Sequence, residues 1–409
     1  MPSVAAQPER GARRSLRQRL LNNPQQVWLR KAFFQVHLWA GILVGLYIIA
    51  IGVSGSILVF KEELLPRPHV AVPALNLRGC TPEQLAQNID LVNHAYPADR
   101  VYLANCPDEG NPLFAISTRE PMKSRPAVRR KPVDPANVYV HPVSNQIVGN
   151  ADVDGSWLHW VEDFHIYLLA GRSGEQWNGA GAAALLILAL SGSVLWWPGI
   201  KRWRQSLTVD FKRSWKRINW DLHSAIGIWT VLFTITWAAS GVYFAWPKAF
   251  TAGIESISRT VTAKYPAQQL VSLGETIKPD TTGFDLLTVL HDAQQRSPQG
   301  ALEGCFYGSG PTPMFTVYMA RGHMGDFANT DFIYYDQNTG RHLLTWNRGQ
   351  NQTLGDWLLW LAVPLHFGTS WGLGVKIAWA ILGLVLPALT VTGFIMYWNR
   401  YLGKKMRRA

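Results

Sequence analysis

Hydrophobic positions along the chain gather into four long runs, Phe33–Phe60, Gly179–Trp197, Leu222–Trp246 and Val375–Trp398. Each has about the 20 residues that cross a hydrocarbon core as a helix. Between the runs the pattern changes period. "NVYVHPVSNQIVGN" (137–150) and "DFIYYDQNTGRHLL" (331–344) read as strand-turn-strand, with His141 aligning with Asp336. "TPEQLAQNIDLVNHAY" (81–96) and "FDLLTVLHDAQQR" (284–296) read as amphipathic helices ahead of those strands, with Thr81 as an N-cap.

The pattern predicts a mainly α membrane protein with four transmembrane helices and two α+β domains. The predicted order is a basic N-terminus (1–32), a span (33–60), an α+β domain with a pre-span helix (61–177) and a span (178–198). A basic linker (199–220), a span (221–247), a second α+β domain (248–370), a span (371–398) and a tail (399–409) follow.

Charge supplies an orientation. Residues 1–32 carry seven Arg and Lys against Glu9, the linker carries seven against Asp210, and the tail carries five, for local charges of +6, +6 and +5. The whole chain is only +12, so the remainder is acidic on balance. All three basic segments fall on one side of a four-span chain, and the positive-inside rule makes that side cytoplasmic. Both termini are then expected inside, the two long loops outside, and in a bacterium the loops are periplasmic. This placement accounts for the basic pI without nucleic acid. The first run is too long for a signal peptide and closes on no clean small-residue cleavage site, so it is expected as an uncleaved anchor. The linker alternates basic and aromatic residues, which suits the headgroup layer; docking of a cytoplasmic electron donor is a second use for it.

The two halves of the chain repeat. His37 and His223 each precede a Ser-Gly pair, Ser54-Gly55 and Ser240-Gly241, with 18 residues from His to Gly. His165 and His366 each precede a span, with Gly192 and Gly393 lying 27 residues on. The lead-ins "GSWLHWVEDFH" and "GDWLLWLAVPLH" are also alike. Each copy holds two spans, so the repeats are parallel. His37 and His223 fall at one depth near the cytoplasmic face, and His165 and His366 at one depth near the other.

An ionisable group at membrane depth needs a partner. Two imidazoles facing one another across a helix bundle hold haem iron from both axial positions, which predicts two haems b, one on His37 and His223 and one on His165 and His366. No CxxCH motif occurs, so attachment is not of the c type. Each His could instead be a satisfied polar residue, and a proton relay is a further alternative, although Asp221 is the only acid close to the spans. His159, six residues before His165, has Leu359 as its counterpart and stands as a third ligand or gate. Trp residues near the span ends fit an interfacial belt or the wall of a haem pocket. His323 reads as part of a hairpin turn, with contact to a substrate as its alternative; His69, His94, His141, His291 and His342 read as solvated. Cys80 and Cys106 share the first outer loop, where a disulfide is permitted, and Cys305 is then unpaired. No nucleophile–base pair, metal cluster, phosphate loop, flavin or nicotinamide fingerprint is present.

"HLWAG…SG", "LHFG" (365–368), "TGFIMYW" and "YYDQNTG" together resemble the PepSY-associated transmembrane family, over about Phe33 to Trp398. The resemblance implies periplasmic PepSY-type domains in an iron-regulated inner-membrane protein. It also implies His37, His165, His223 and His366 as haem ligands, and a di-haem reductase acting on a ferric siderophore. The first domain departs from the family pattern in "VHPVSNQ", where the Asp and Gly of the turn are missing. Electrons would enter from a cytoplasmic donor or quinol. A non-redox PepSY protein binding or regulating a periplasmic partner, and a parallel-repeat transporter, are the competing functions.

Overall fold

A computed structural model of the chain describes residues 18, 22, 24–73, 79–119, 136–152, 155–275, 277, 283–308 and 314–402. Most of the basic N-terminus, including Arg10, Arg13, Arg14, Arg17 and Arg19, and the tail residues Lys404, Lys405, Arg407 and Arg408 lie outside the described residues.

Among the described residues four helices are long and apolar enough to cross a membrane: α1 (Trp28–Leu58), α5 (Gly171–Trp196), α6 (Trp215–Ala245) and α11 (Leu373–Tyr397), the last continuing through a wider turn, Trp398–Leu402. Three of them begin five to eight residues before the hydrophobic runs that predict them. Hydropathy marks where the chain is apolar, whereas helical hydrogen bonding continues into polar turns such as "WKRINWD". The remaining helices are α2 (Lys61–Leu64), α3 (Pro82–Ala95), α4 (Trp157–Tyr167), α7 (Pro247–Glu255), α8 (Ala267–Glu275), α9 (Leu286–Arg296) and α10 (Leu354–Phe367). Thr81 caps α3 in a full capping box with Gln84.

The chain folds as two compact units. One takes the described parts of Met1–Gly52 and Leu384–Ala409 together with Gly181–Ala238, and the other takes Val53–Ala180 and Ala239–Gly383. The first unit is helical. Ile48, Leu188 and Leu386 form its buried centre, with Val44, Tyr47 and Trp237 packed against them, while Leu43, Leu46 and Leu232 face outward at 72–85% exposure. Such leucines suit a lipid environment, where apolar exposure costs nothing. Arg30 donates to the carbonyls of Val194, Leu195 and Trp197, satisfying the open C-terminal end of α5 with a cation placed where the helix dipole favours one. Asp221 pairs with Arg217 at 2.9 Å.

The second unit is built on one eight-stranded antiparallel sheet in the order β4-β3-β2-β1-β5-β6-β7-β8. Its strands are β1 (Arg100–Asn105), β2 (Phe114–Arg119), β3 (Ala136–Val140), β4 (Ile147–Asp152), β5 (Ala301–Tyr307), β6 (Met314–Ala320), β7 (Thr330–Asp336) and β8 (His342–Asn347). The two α+β segments therefore share a sheet, each adding four strands, where the sequence predicts two separate domains. The join is the β1–β5 pairing, Leu103 with Phe306, Ala104 with Cys305 and Asn105 with Gly304. Gly304 is required there, because a Cβ would come within 2.3 Å of the Ala104 carbonyl oxygen. Helices α3 and α9 cover the join, and Leu85, Ile89 and Val92 share one core with Leu290, Ala293, Val317 and Ile333. Cys80 and Cys106 are disulfide-bonded and Cys305 is a buried free thiol.

One core carboxyl makes this unit sensitive to pH. Burial pushes Glu303 on β5 up to about 7, against the Gly325 N–H that donates to it at 2.7 Å. Folded protein thus holds a proton that unfolded chain releases between pH 4.5 and 7, and stability falls across that window as pH rises. Glu303→Gln removes the titration. At pH 8 it is expected to stabilise the unit by roughly 3 kcal/mol, from about 1.4 kcal/mol per pKa unit. The gain should vanish toward pH 4.5, as measured by thermal melts across the range.

Candidate functional site

The four histidines of the repeat meet in two couples. His37 and His223 have ring centroids 6.3 Å apart with planes at 86°. His165 and His366 have centroids 6.4 Å apart with planes at 62°. All four rings are half-buried.

Each imidazole is held at Nδ1 by a hydroxyl from another helix. His37 Nδ1 lies 3.0 Å from Ser191 Oγ and 3.1 Å from the Leu188 carbonyl oxygen. His223 Nδ1 lies 3.0 Å from Thr392 Oγ1, His165 Nδ1 is 2.9 Å from Ser54 Oγ, and His366 Nδ1 is 2.8 Å from Ser240 Oγ. In the His37–His223 couple these contacts fix the tautomer. Ser191 and Thr392 donate their own protons to carbonyls of Leu188, Ala388 and Leu389, so each accepts from the imidazole. The ring proton then sits on Nδ1 and the lone pair on Nε2, the form in which histidine binds a metal.

Glycines next to these hydroxyls seat the rings. A Cβ on Gly55 would lie 3.0 Å from His165 Cε1, one on Gly192 3.1 Å from His37 Cε1, and one on Gly393 3.2 Å from His223 Cε1. The Ser/Thr-Gly dipeptide thus supplies a hydrogen bond and a gap for the same imidazole. Each hydroxyl serves a histidine of its own half of the chain, whereas each histidine couple takes one member from each half.

The histidines outside the spans sit on helix ends that are themselves fixed. Ser156 caps α4, whose last turn is closed by Leu168 in the left-handed conformation at φ 47°. Asn178, on α5, donates to the carbonyls of His165 and Ile166 at 2.7 and 3.1 Å. In the second half α10 ends at Gly368 with φ 66°, and Trp379, on α11, donates to the Leu365 carbonyl at 3.0 Å. Asn178 and Trp379 both lie 13 residues beyond their histidines and do one job with different chemistry. Gly368 serves twice, since a Cβ there would also collide with the Trp379 ring.

Asp356, fully buried, holds the start of α10. Burial by itself would push this carboxyl up, but N–H groups of Val261, Ala263, Thr262, Gln352 and Thr353 outweigh it and hold the group well below the usual carboxylate range. His159 is directed elsewhere. It faces Glu162 at 3.9 Å, and Glu162 is bonded to Lys61 at 2.6 Å.

The donor set fits haem iron. With imidazole–metal bonds of about 2.0–2.1 Å and a ring nitrogen about 1.1 Å from its ring centre, two axial imidazoles on one iron have centroids roughly 6.3 Å apart. Both couples match that separation. Among the described residues no group of three or more His, Cys, Asp or Glu assembles a bare-metal site. Two ligands suit an iron whose other four positions are filled by porphyrin. Sequence spacing singles out the four histidines. It does not single out Ser191, Thr392, Asn178 and Trp379, although a Ser-Gly or Thr-Gly dipeptide in every span was the available signal.

A comparison with curated proteins finds no match. A family model for the PepSY-associated TM region matches residues 34–400. The four spans, the paired histidines and that match over nearly the whole length agree: the chain belongs to the PepSY-associated TM region family.

Proposed function

We propose that this protein is a di-haem b oxidoreductase of the bacterial inner membrane, built as two parallel repeats. It would pass electrons across the membrane to reduce a ferric siderophore from Fe(III) to Fe(II) for iron release. The observation that carries the proposal is the pair of imidazole couples, each at the spacing of a bis-histidine iron and each gripped at Nδ1. Haem at these sites supplies one-electron carriage. The chain's own residues would do the rest: His37 with His223, and His165 with His366, would hold the haems, and Ser191, Thr392, Ser54 and Ser240 orient the imidazoles through Nδ1.

In this proposal the basic segments and both termini are cytoplasmic, and the PepSY-like sheet is periplasmic. A cytoplasmic donor or quinol provides the electrons. Hard oxygen chelators suit Fe(III) better than Fe(II), so reduction alone loosens the metal, and no acid–base residue is needed.

An optical spectrum tests it. Protein purified in detergent from haem-replete cells is expected to show a Soret band, with sharp α-bands on dithionite reduction and two haems b per chain by pyridine haemochrome. Colourless protein would refute the proposal.

A further inference from the structure

The sheet-bearing unit contains a cavity of about 510 Å³, within the size range of small-molecule sites. Its walls are mostly aromatic. Tyr265 meets Trp346 edge-on at 5.3 Å, Trp346 stacks on Phe332 at 5.1 Å and 30°, and Phe332 meets Tyr318 at 5.4 Å. Trp346 is pinned by its Nε1–H, which donates to the Thr262 carbonyl at 2.8 Å.

One full charge lines this cavity, the Arg348 guanidinium, 5.4 Å over the Trp346 ring. Among the described residues no carboxylate lies within ion-pairing reach of it. Burial pulls Arg348 below its ordinary value, with Tyr243, Asp326 and Tyr334 opposing. A desolvated cation without a carboxylate partner is costly, and a bound anion relieves that cost.

The cavity is fastened to the His165–His366 couple by two routes. Tyr243 lines it and touches Phe244 at 5.3 Å, and Phe244 packs on the His366 ring at 5.1 Å. Ala263 also lines it, and its N–H is held by Asp356 at the start of the helix that carries His366.

We propose that this cavity binds a planar aryl anion, a catecholate or phenolate arm of the chelate, with its face on the Phe332–Trp346 wall and its charge on Arg348. The identity of the chelated metal rests on the function proposed above; the aryl-anion site does not. A flat anionic ring satisfies the stacking surface and the cation together. An aliphatic hydroxamate chelate offers the wall no ring.

Redox-inert gallium(III) chelates test the site without needing reduction. Full-length protein in detergent is titrated with gallium tris-catecholate and gallium tris-hydroxamate, read by quenching of tryptophan fluorescence. The catecholate is expected to bind at least tenfold more tightly. Arg348→Gln should weaken it at least tenfold, Arg348→Lys should recover part of the loss, and Phe332→Leu should weaken it with the charge retained. Equal affinity for the two chelates, or an Arg348→Gln protein that melts normally and binds normally, overturns the proposal. If Arg348→Gln fails to fold, the discrimination between chelates by the unaltered protein decides. Colourless protein that still selects the catecholate would defeat the reductase function and leave this site standing.

Discussion

Purified His223→Ala is expected to carry one haem b per chain, where the proposed function expects two in the unaltered protein. The His37–His223 couple belongs to the helical unit and the His165–His366 couple to the sheet-bearing unit, so removing one axial ligand should empty one site and spare the other. Combinations separate this from general damage. His37→Ala with His223→Ala should still retain one haem, because both changes fall on the same iron. His223→Ala with His366→Ala should retain none. Pyridine haemochrome content against protein mass measures both. Loss of both haems from the His37/His223 double variant would show that the histidines are not partnered as the ring distances indicate.

Asp356→Ala should be the most destabilising single change outside the spans. Five backbone donors converge on this carboxylate in a position with no solvent exposure. Unsatisfied buried donors cost about 1–3 kcal/mol each, and partial relaxation brings the expected loss to about 4–5 kcal/mol, the range of the most damaging point changes. Asp356→Asn keeps an acceptor and should lose less. The carboxyl is held below its ordinary range, so its contribution is complete above the usual carboxylate pKa and fades only as pH falls into strong acid. The same substitution frees the start of α10, ten residues before His366. It is expected to deplete the haem at His165–His366 ahead of the other one, visible as a stoichiometry drifting from two toward one on mild warming.

The parts of this protein that were legible in its sequence are those with a period. Spans show as apolar runs, strands as alternation about Asn338-Thr339-Gly340, and the histidines as intervals that recur between halves. Boundaries were less legible, because α6 continues through Lys216, Arg217 and Asn219, where hydropathy has already ended; Asn219 reaches across to the Thr392 carbonyl at 3.0 Å. The joined sheet was not legible, since pairing between β1 and β5 depends on an edge-to-edge meeting that no local pattern encodes. The hydroxyls at Ser191 and Thr392 were hidden for another reason. Serine and threonine are common in membrane helices as back-bonding residues, and only the position of an imidazole on a neighbouring helix distinguishes these two. Asn178 and Trp379 show the limit of aligning by identity: they share a task and an interval but not a side chain.

The three-rung pairing of β1 with β5 also sets a timetable for biosynthesis. Leu103 must wait for Phe306, and at about 5–20 residues per second the ribosome takes roughly 10–40 s to deliver it. During that interval β1 presents an open strand edge, the kind of surface that recruits stray chains. Cys80 and Cys106 are both already translated by then, so an oxidant can cross-link the end of β1 before its neighbour arrives. The half-made chain thus has a period of vulnerability in which a chaperone or thiol oxidase would influence how much protein matures.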